Sequence, residues 1–231
     1  RIVTDSLADL LWTPSPDGDE NLLKEGVPPH KIQRVGNIMI DSLEMLRSRI
    51  EKEKSFERYG LKPGGYALVT LHRPANVDEP DPLREICRIL QRVAKQIPLI
   101  FPVHPRTHKS LAKFGLWDDL QSISALHLTD PISYIPFMNL VFHCRFVLTD
   151  SGGIQEETTY LGIPCLTLRP NTERPITVTQ GTNRLCTLRD VERQIGSILS
   201  QTTAQKTVPD LWDGQTAGRV SKSIQQFLAK D

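Results

Sequence analysis

The run Thr149-Asp150-Ser151-Gly152-Gly153 sets a carboxylate, a hydroxyl and two peptides without side chains in a row. Two chemistries use such a run. Asp-Ser-Gly-Gly is the setting of the reactive serine in trypsin-like proteases, which would make Ser151 a nucleophile. A strand–glycine–helix turn instead presents bare backbone N–H groups to an anion. A protease serine needs an all-β setting with a partnering His and Asp. Here the apolar run Phe146-Val147-Leu148 precedes the motif and a helical pattern follows it. The Gly-x-Ser-x-Gly elbow and the Walker lysine are both missing. Gly152 and Gly153 have no Cβ, so a phosphate can come close to their peptides. Ser151 can add a hydroxyl donor or merely cap the helix. On this motif alone, a plain N-cap without a ligand is a serious rival to the phosphate cradle.

Glu157 shifts that balance. On a helix starting near Gly152 it lies beside Ile154 and Leu161, which should face the core. An ionised carboxylate there is costly unless something donates to it. A ribose diol would supply two donors; an arginine would make an internal salt bridge. Both readings stay open. His72 and Arg174 each fall just after an apolar run, in "LVTLHRPANVD" and after "CLTL". In an open parallel sheet, ligands sit beyond the carboxyl ends of the strands. A lone His is more often structural than catalytic, but a His and an Arg at the same sheet edge as the glycine turn are better evidence. His104 also follows a strand, and His108 is four residues on, but Pro105 argues against a helical metal pair. Tyr134 and Phe137 sit at helical spacing, where aromatics are usually core; one of them could stack on a base.

The elements that would position these residues follow from periodicity. Residues 66–70, 98–104, 124–130, 145–150 and 164–169 are short apolar runs bounded by Gly, Pro or polar residues, and are expected strands. Helical patterns lie between them. "DPLREICRILQRVAKQ", with Leu83, Ile86, Cys87, Leu90, Val93 and Ala94 on one face, is the clearest. Strand and helix in alternation imply right-handed crossovers and a parallel sheet with helices on both faces, an α/β Rossmann-like fold. Upstream, "LLWTPS" and "IQRVGN" are two more strands around a helix "ENLLKEGVP", and "MIDSLEMLRSRIEKEK" is a long amphipathic helix. Downstream, "NRLCT" is a last strand, "DVERQIGSILSQ" a helix capped by Asp190, and "TTAQKTVPDLWDGQT" a linker-like stretch. "AGRVSKSIQQFLAK" closes the chain as a helix whose face of Val220, Ile224, Phe227 and Leu228 needs a partner.

The 231 residues carry a formal net charge of +1, with 39% hydrophobic and 24% charged residues. That is a soluble globular profile with no field that draws nucleic acid or a membrane surface. No apolar run is long enough to span a bilayer. Cys87, Cys144, Cys165 and Cys186 never form Cys-x-x-Cys and are expected as buried reduced thiols in a cytosolic protein. No metal or cofactor site is expected. The first residue is Arg1 and the chain opens inside a helical pattern, so the sequence is expected to be a piece of a longer protein.

Taken together, "VGNIMIDSL", "VTLHRPANVD", "FPVHPRT", "VLTDSGGIQEETTYLGIPCLTLRPNTERPITVTQGTNRL" and "WDGQTAGR" resemble the non-hydrolysing UDP-N-acetylglucosamine 2-epimerases, in the family's order and over nearly the whole chain. The resemblance implies the two-domain glycosyltransferase-B architecture, with this chain as its C-terminal half. Residues 1–210 would form the UDP-binding Rossmann-like domain with linking segments, and residues 211–231 a helix crossing back onto a first domain ahead of Arg1. The implied reaction inverts C2 of UDP-GlcNAc to give UDP-ManNAc, by elimination of UDP and re-addition. By the same resemblance, Ser151, Gly152 and Gly153 would hold the phosphates and Glu157 the ribose. Arg174 would face the diphosphate, His72 the phosphate and sugar in a catalytic role, and Phe137 the uracil. Preorganised donors of this kind contribute on the order of 3 kcal/mol each to a barrier. The acid/base carboxylates would lie in the first domain, so this piece alone would at most bind UDP weakly. The full protein would be a cytoplasmic homodimer serving cell-envelope polysaccharide synthesis. One departure stands out: many bacterial members read His-Arg-Arg-Glu where this chain has His72-Arg73-Pro74-Ala75, which puts the family's substrate activation in doubt here. A glycosyltransferase of the same architecture and a non-catalytic nucleotide-sugar module are the alternatives, with a serine hydrolase a distant fourth.

Overall fold

The computed structural model describes residues 2–201 and 207–229. Among the described residues eight strands form: β1 (Leu11–Thr13), β2 (Ile32–Arg34), β3 (Ala67–Thr70), β4 (Leu99–Pro102), β5 (Leu126–Thr129), β6 (Val147–Thr149), β7 (Cys165–Leu168) and β8 (Asn183–Cys186). The helices are α1 (Ile2–Leu7), α2 (Pro16–Lys24), α3 (Ile38–Lys52), α4 (Pro74–Val77), α5 (Pro80–Ala94), α6 (Pro105–Lys113), α7 (Trp117–Gln121), α8 (Tyr134–His143), α9 (Gly153–Leu161), α10 (Ile176–Thr179), α11 (Val191–Ser200) and α12 (Thr216–Leu228).

Strands β3 to β8 make one parallel sheet in the order β5-β4-β3-β6-β7-β8. The chain winds outward from β3 in one direction and from β6 in the other, so the switch point lies between those two strands. Period-two alternation divides the central strands between two cores. Ala67, Val69, Leu99, Phe101, Phe146 and Leu148 face α5 and α11, where Leu83, Ile86, Leu90 and Ile195 complete one cluster. Leu68, Ile100 and Val147 face the other way, onto Leu43 and Ile50 of α3, Met138 and Val141 of α8, and Ile154 of α9. This explains why the strands read as continuous apolar runs: both of their faces are covered.

Asn139 is wholly buried between α8 and the end of α3. Its Nδ2 donates to the carbonyls of Ile50 and Glu53 at 2.9 and 2.7 Å, and its Oδ1 accepts the N–H of Ser55 at 2.9 Å. A side chain from a distant helix thus satisfies backbone groups at the α3 C-terminus that helical geometry leaves over.

Strands β1 and β2 form a separate two-stranded parallel sheet. α12 is tied to this region: Asp41 accepts the N–H groups of Thr216 (3.1 Å) and Ala217 (2.7 Å), and Trp12 Nε1 donates to Ser223 Oγ at 3.0 Å. Ile224, Phe227 and Leu228 remain 41%, 37% and 64% exposed, so the outer apolar face of α12 is unpartnered among the described residues.

Three expectations need correction. Asp190 does not cap α11; it reaches backward, accepting from the N–H and hydroxyl of Thr187, both at 2.7 Å. The stretch before α12 is not a free linker over its described part: Trp212 is 2% exposed, packs with Ile40 and Ile176, and donates to the Pro14 carbonyl at 2.9 Å. Residues 202–206 of that stretch lie outside the described residues. The opening helical pattern, read over "RIVTDSLADLL", stops at Leu7, because Leu11 is needed by β1.

Candidate functional site

The site is built at the switch point. The hydroxyls of Thr70 and Thr149, which pair in register on β3 and β6, are 2.7 Å apart. Directly beyond them Asp150 is wholly buried. Its carboxylate accepts the N–H of His72 (3.1 and 3.0 Å), the N–H of Arg73 (2.8 Å) and an N–H of the Asn76 amide (3.0 Å). Its carbonyl accepts Arg73 Nε at 2.9 Å. One carboxylate therefore folds the turn after β3 onto the end of β6. His72 Nδ1 lies 3.3 Å from Asp150 Oδ1, and the imidazole is 40% exposed. Its ring faces that of His104 at 5.3 Å. His104 Nδ1 is occupied by the N–H of Arg106, which it accepts at 3.2 Å as the cap of α6. His108 instead packs edge-on against Trp117.

Ser151 donates its N–H to Thr149 Oγ1 at 2.9 Å, and its carbonyl accepts from Gln155 Nε2 at 3.0 Å. Gly152 is the N-cap of α9, and no side chain caps the helix. Ser151 thus does not play the capping role. No histidine hydrogen-bonds its hydroxyl among the described residues, which removes the support a nucleophile would need. The Gly152 and Gly153 N–H groups meet no acceptor among the described residues, so the positive end of α9 is open to an anion. A Cβ at Gly153 would meet nothing within 4 Å, whereas one at Gly152 would stand 2.6 Å from Arg174 Nη1. The turn is open at Gly153 and roofed by a guanidinium at Gly152.

Arg174 follows β7. Its Nε is 2.7 Å from Glu156 Oε2, an ion pair whose N–H is not aligned for a good hydrogen bond. Glu156 is 7% exposed and also accepts from Asn37 Nδ2 at 2.9 Å. The internal Arg–carboxylate pair considered for Glu157 is therefore made by its neighbour. Clefts of about 720 and 700 Å³ are both lined in part by Glu156 and Arg174, the first with Asn37, Ile38 and Ile224, the second with Leu22, Ile176 and Trp212.

Glu157 is 5% exposed, and its carboxylate accepts from the Tyr134 hydroxyl at 2.9 Å. Burial pushes its carboxyl up to about 7; the Tyr134 bond opposes that rise and the charge of Glu156 adds to it. Burial and the nearby carboxylate raise the Tyr134 phenol as well, so the proton stays on the tyrosine. Phe137 is half-buried and packs against the core cluster on the α8 side of the sheet.

Ser151, Gly152, Gly153 and Arg174 converge at the turn. His72 is joined to it through Asp150, and Glu157 lies further along α9 beside Tyr134. Sequence reasoning did not single out Asp150, Glu156, Asn37 or Gln155. The signal for Asp150 was an acid directly after a buried strand, where a carboxylate needs donors from a neighbouring element. For Glu156 it was an unassigned acid in the first turn of the helix that follows the glycine turn.

The fold defines the class: an open parallel α/β sheet wound both ways from its centre, with a glycine turn and helix N-terminus at the switch point. The family model for UDP-N-acetylglucosamine 2-epimerase matches residues 1–225. This chain belongs to that family. A UDP-N-acetylglucosamine 2-epimerase of Methanococcus maripaludis is 37% identical over 190 residues, covering 80% of this chain and 52% of that protein. A UDP-2,3-diacetamido-2,3-dideoxy-D-glucuronate 2-epimerase of Pseudomonas aeruginosa is 34% identical over 235 residues, covering 100% of this chain and 62% of its own. The crystal structure of the Methanocaldococcus jannaschii UDP-GlcNAc 2-epimerase, in complex with UDP-GlcNAc and UDP, superposes with a TM-score of 0.83 at 32% identity, over 96% of this chain and 63% of that one. These neighbours have the glycosyltransferase-B-like architecture expected from the sequence. The chain spans about half the length of the archaeal relatives it matches.

Proposed function

We propose that this chain is the nucleotide-binding part of a UDP-GlcNAc 2-epimerase, which interconverts UDP-GlcNAc and UDP-ManNAc by removing the C2 proton and expelling UDP from C1 to leave a glycal, then re-forming the C1–O bond to UDP as a proton returns to the opposite face of C2. One observation carries the reading. The turns after the adjacent strands β6 and β7 set the Arg174 guanidinium beside the uncapped glycine N–H groups of α9, and Asp150 ties the turn that carries His72 to the same sheet edge. We read these groups as a donor set for one anion. In elimination of UDP, negative charge grows on the departing diphosphate, and fixed donors stabilise it most there.

In this reading Ser151, Gly152 and Gly153 hold the diphosphate, and Arg174 neutralises it. His72, held by Asp150, stands near the phosphate and the sugar. Glu157 accepts from the ribose hydroxyls alongside Tyr134, and Phe137 lies beside the uracil. The base at C2 comes from the part of the relatives that this chain does not span. The Pseudomonas relative is named for a different amino sugar, so uridine and diphosphate are the components this half recognises, and the sugar is specified by both halves. The working enzyme is a homodimer in the cytoplasm, a setting in keeping with four buried free thiols.

Calorimetric titration of the chain with UDP and with uridine tests the binding claim. UDP should bind tighter by at least about tenfold, the weight of one hydrogen bond to a charged group. Equal affinities contradict it. For the reaction, the full-length enzyme turning over in deuterated water should place deuterium at C2 of the product; unlabelled product contradicts the elimination route.

A further inference from the structure

Gln155 is wholly buried on the first turn of α9, where an apolar side chain of the same volume would pack equally well. Its amide makes three hydrogen bonds. Nε2 donates to the Ser151 carbonyl at 3.0 Å, and Oε1 accepts from the Thr172 hydroxyl at 2.7 Å and from Asn183 Nδ2 at 3.0 Å. Asn183, 2% exposed, accepts from the Thr167 hydroxyl at 2.6 Å and donates its other N–H to Thr177 Oγ1 at 3.1 Å. The two threonines then grip the backbone of one residue. Thr172 Oγ1 accepts the N–H of Arg174 at 3.1 Å, and the Thr177 hydroxyl donates to the Arg174 carbonyl at 2.7 Å. Turning over the Gln155 amide would set donor against donor at Asn183, so the network admits one orientation.

We propose that Gln155 is the positioning residue of the site. Its buried amide braces the Arg174 backbone against the Ser151–Gly153 turn, so that guanidinium and bare N–H groups face the same diphosphate. Gln155 does not touch the ligand. The neighbouring Glu156 then sets the direction of the guanidinium through its 2.7 Å ion pair. The brace is neutral throughout, so it fixes geometry without competing for the charge of Arg174. This inference rests on the diphosphate reading above.

The experiment measures UDP and uridine affinities of the chain and of three variants. Thr172 is half-buried, so Thr172→Val removes the bridging hydroxyl at nearly constant shape, and Thr172→Ser retains it. Gln155→Leu removes the brace itself. In Thr172→Val and Gln155→Leu the preference for UDP over uridine should fall by about tenfold, with uridine affinity unchanged, and Thr172→Ser should keep the wild-type preference. Loss of UDP and uridine affinity in equal measure overturns the positioning role, as does a full preference in Thr172→Val. If Gln155→Leu does not fold, the two Thr172 variants decide between those outcomes. A wild-type chain that binds neither ligand, or both equally, overturns the diphosphate reading and this inference with it.

Discussion

At Gly153 an added methyl would meet no protein atom within 4 Å, and alanine favours a helix over glycine by about 1 kcal/mol. Gly153→Ala should therefore melt at or slightly above the wild-type temperature while losing UDP affinity, because the methyl fills the space a phosphate oxygen needs. Calorimetry beside a melting curve checks both halves of that outcome. Glu157 offers a pH test. Its folded carboxyl titrates near 7 against an ordinary 4.5, so the folded state holds a proton that the unfolded state has released between those values. Stability should fall as pH rises from 4.5 to about 7, by about 3 kcal/mol. Glu157→Gln should flatten that slope in urea titrations. A ribose diol donating to Glu157 favours the carboxylate, so UDP binding near pH 6.5 should release protons, read as a dependence of the binding enthalpy on buffer ionisation. Tyr134→Phe removes the donor that now opposes the rise, and should move the titration higher.

The elements differ in how firmly they are held. Asn139 hydrogen-bonds three backbone groups at and just beyond the end of α3. Asn139→Ala should cost about 3 kcal/mol, read as a lower urea midpoint at unchanged slope. The six-stranded sheet is covered on both faces, whereas β1 and β2 form a two-stranded sheet of three-residue strands. Such a sheet is marginal without further packing. Amides of β1, β2 and α12 should exchange with solvent well before those of β3, β6 and β7. Asp41→Ala, which removes the acceptor for Thr216 and Ala217, should speed exchange in α12 while leaving the large sheet unchanged.

At the scale of the molecule, what could be read from sequence was what local pattern dictates. Five strands were visible as short apolar runs bounded by Gly, Pro or polar residues, at a length too short for most helices, whereas β1, β2 and β8 rested on shorter or more polar stretches. The alternation with helices then gave a parallel sheet. The glycine turn was legible because Gly152 and Gly153 have a local reason to be glycine at a strand-to-helix junction. Asp150, Glu156 and Gln155 were not legible in their roles, since each is defined by a partner distant in sequence: His72 and Arg73, Arg174, and Asn183. Asp190 misled because an Asp before a helix resembles a cap wherever its carboxylate points. Trp212 was read as linker because its partners, Ile40 and Pro14, lie at the other end of the chain.

The central claim is that the bare N–H groups of Gly152 and Gly153 grip a nucleotide diphosphate with help from Arg174. A crystal of this chain soaked with UDP tests it most directly. The account predicts diphosphate oxygens within hydrogen-bonding distance of both glycine nitrogens and of the Arg174 guanidinium. Diphosphate density lying elsewhere, such as in the cleft between Asn37 and Ile224, with that turn unoccupied, would contradict it.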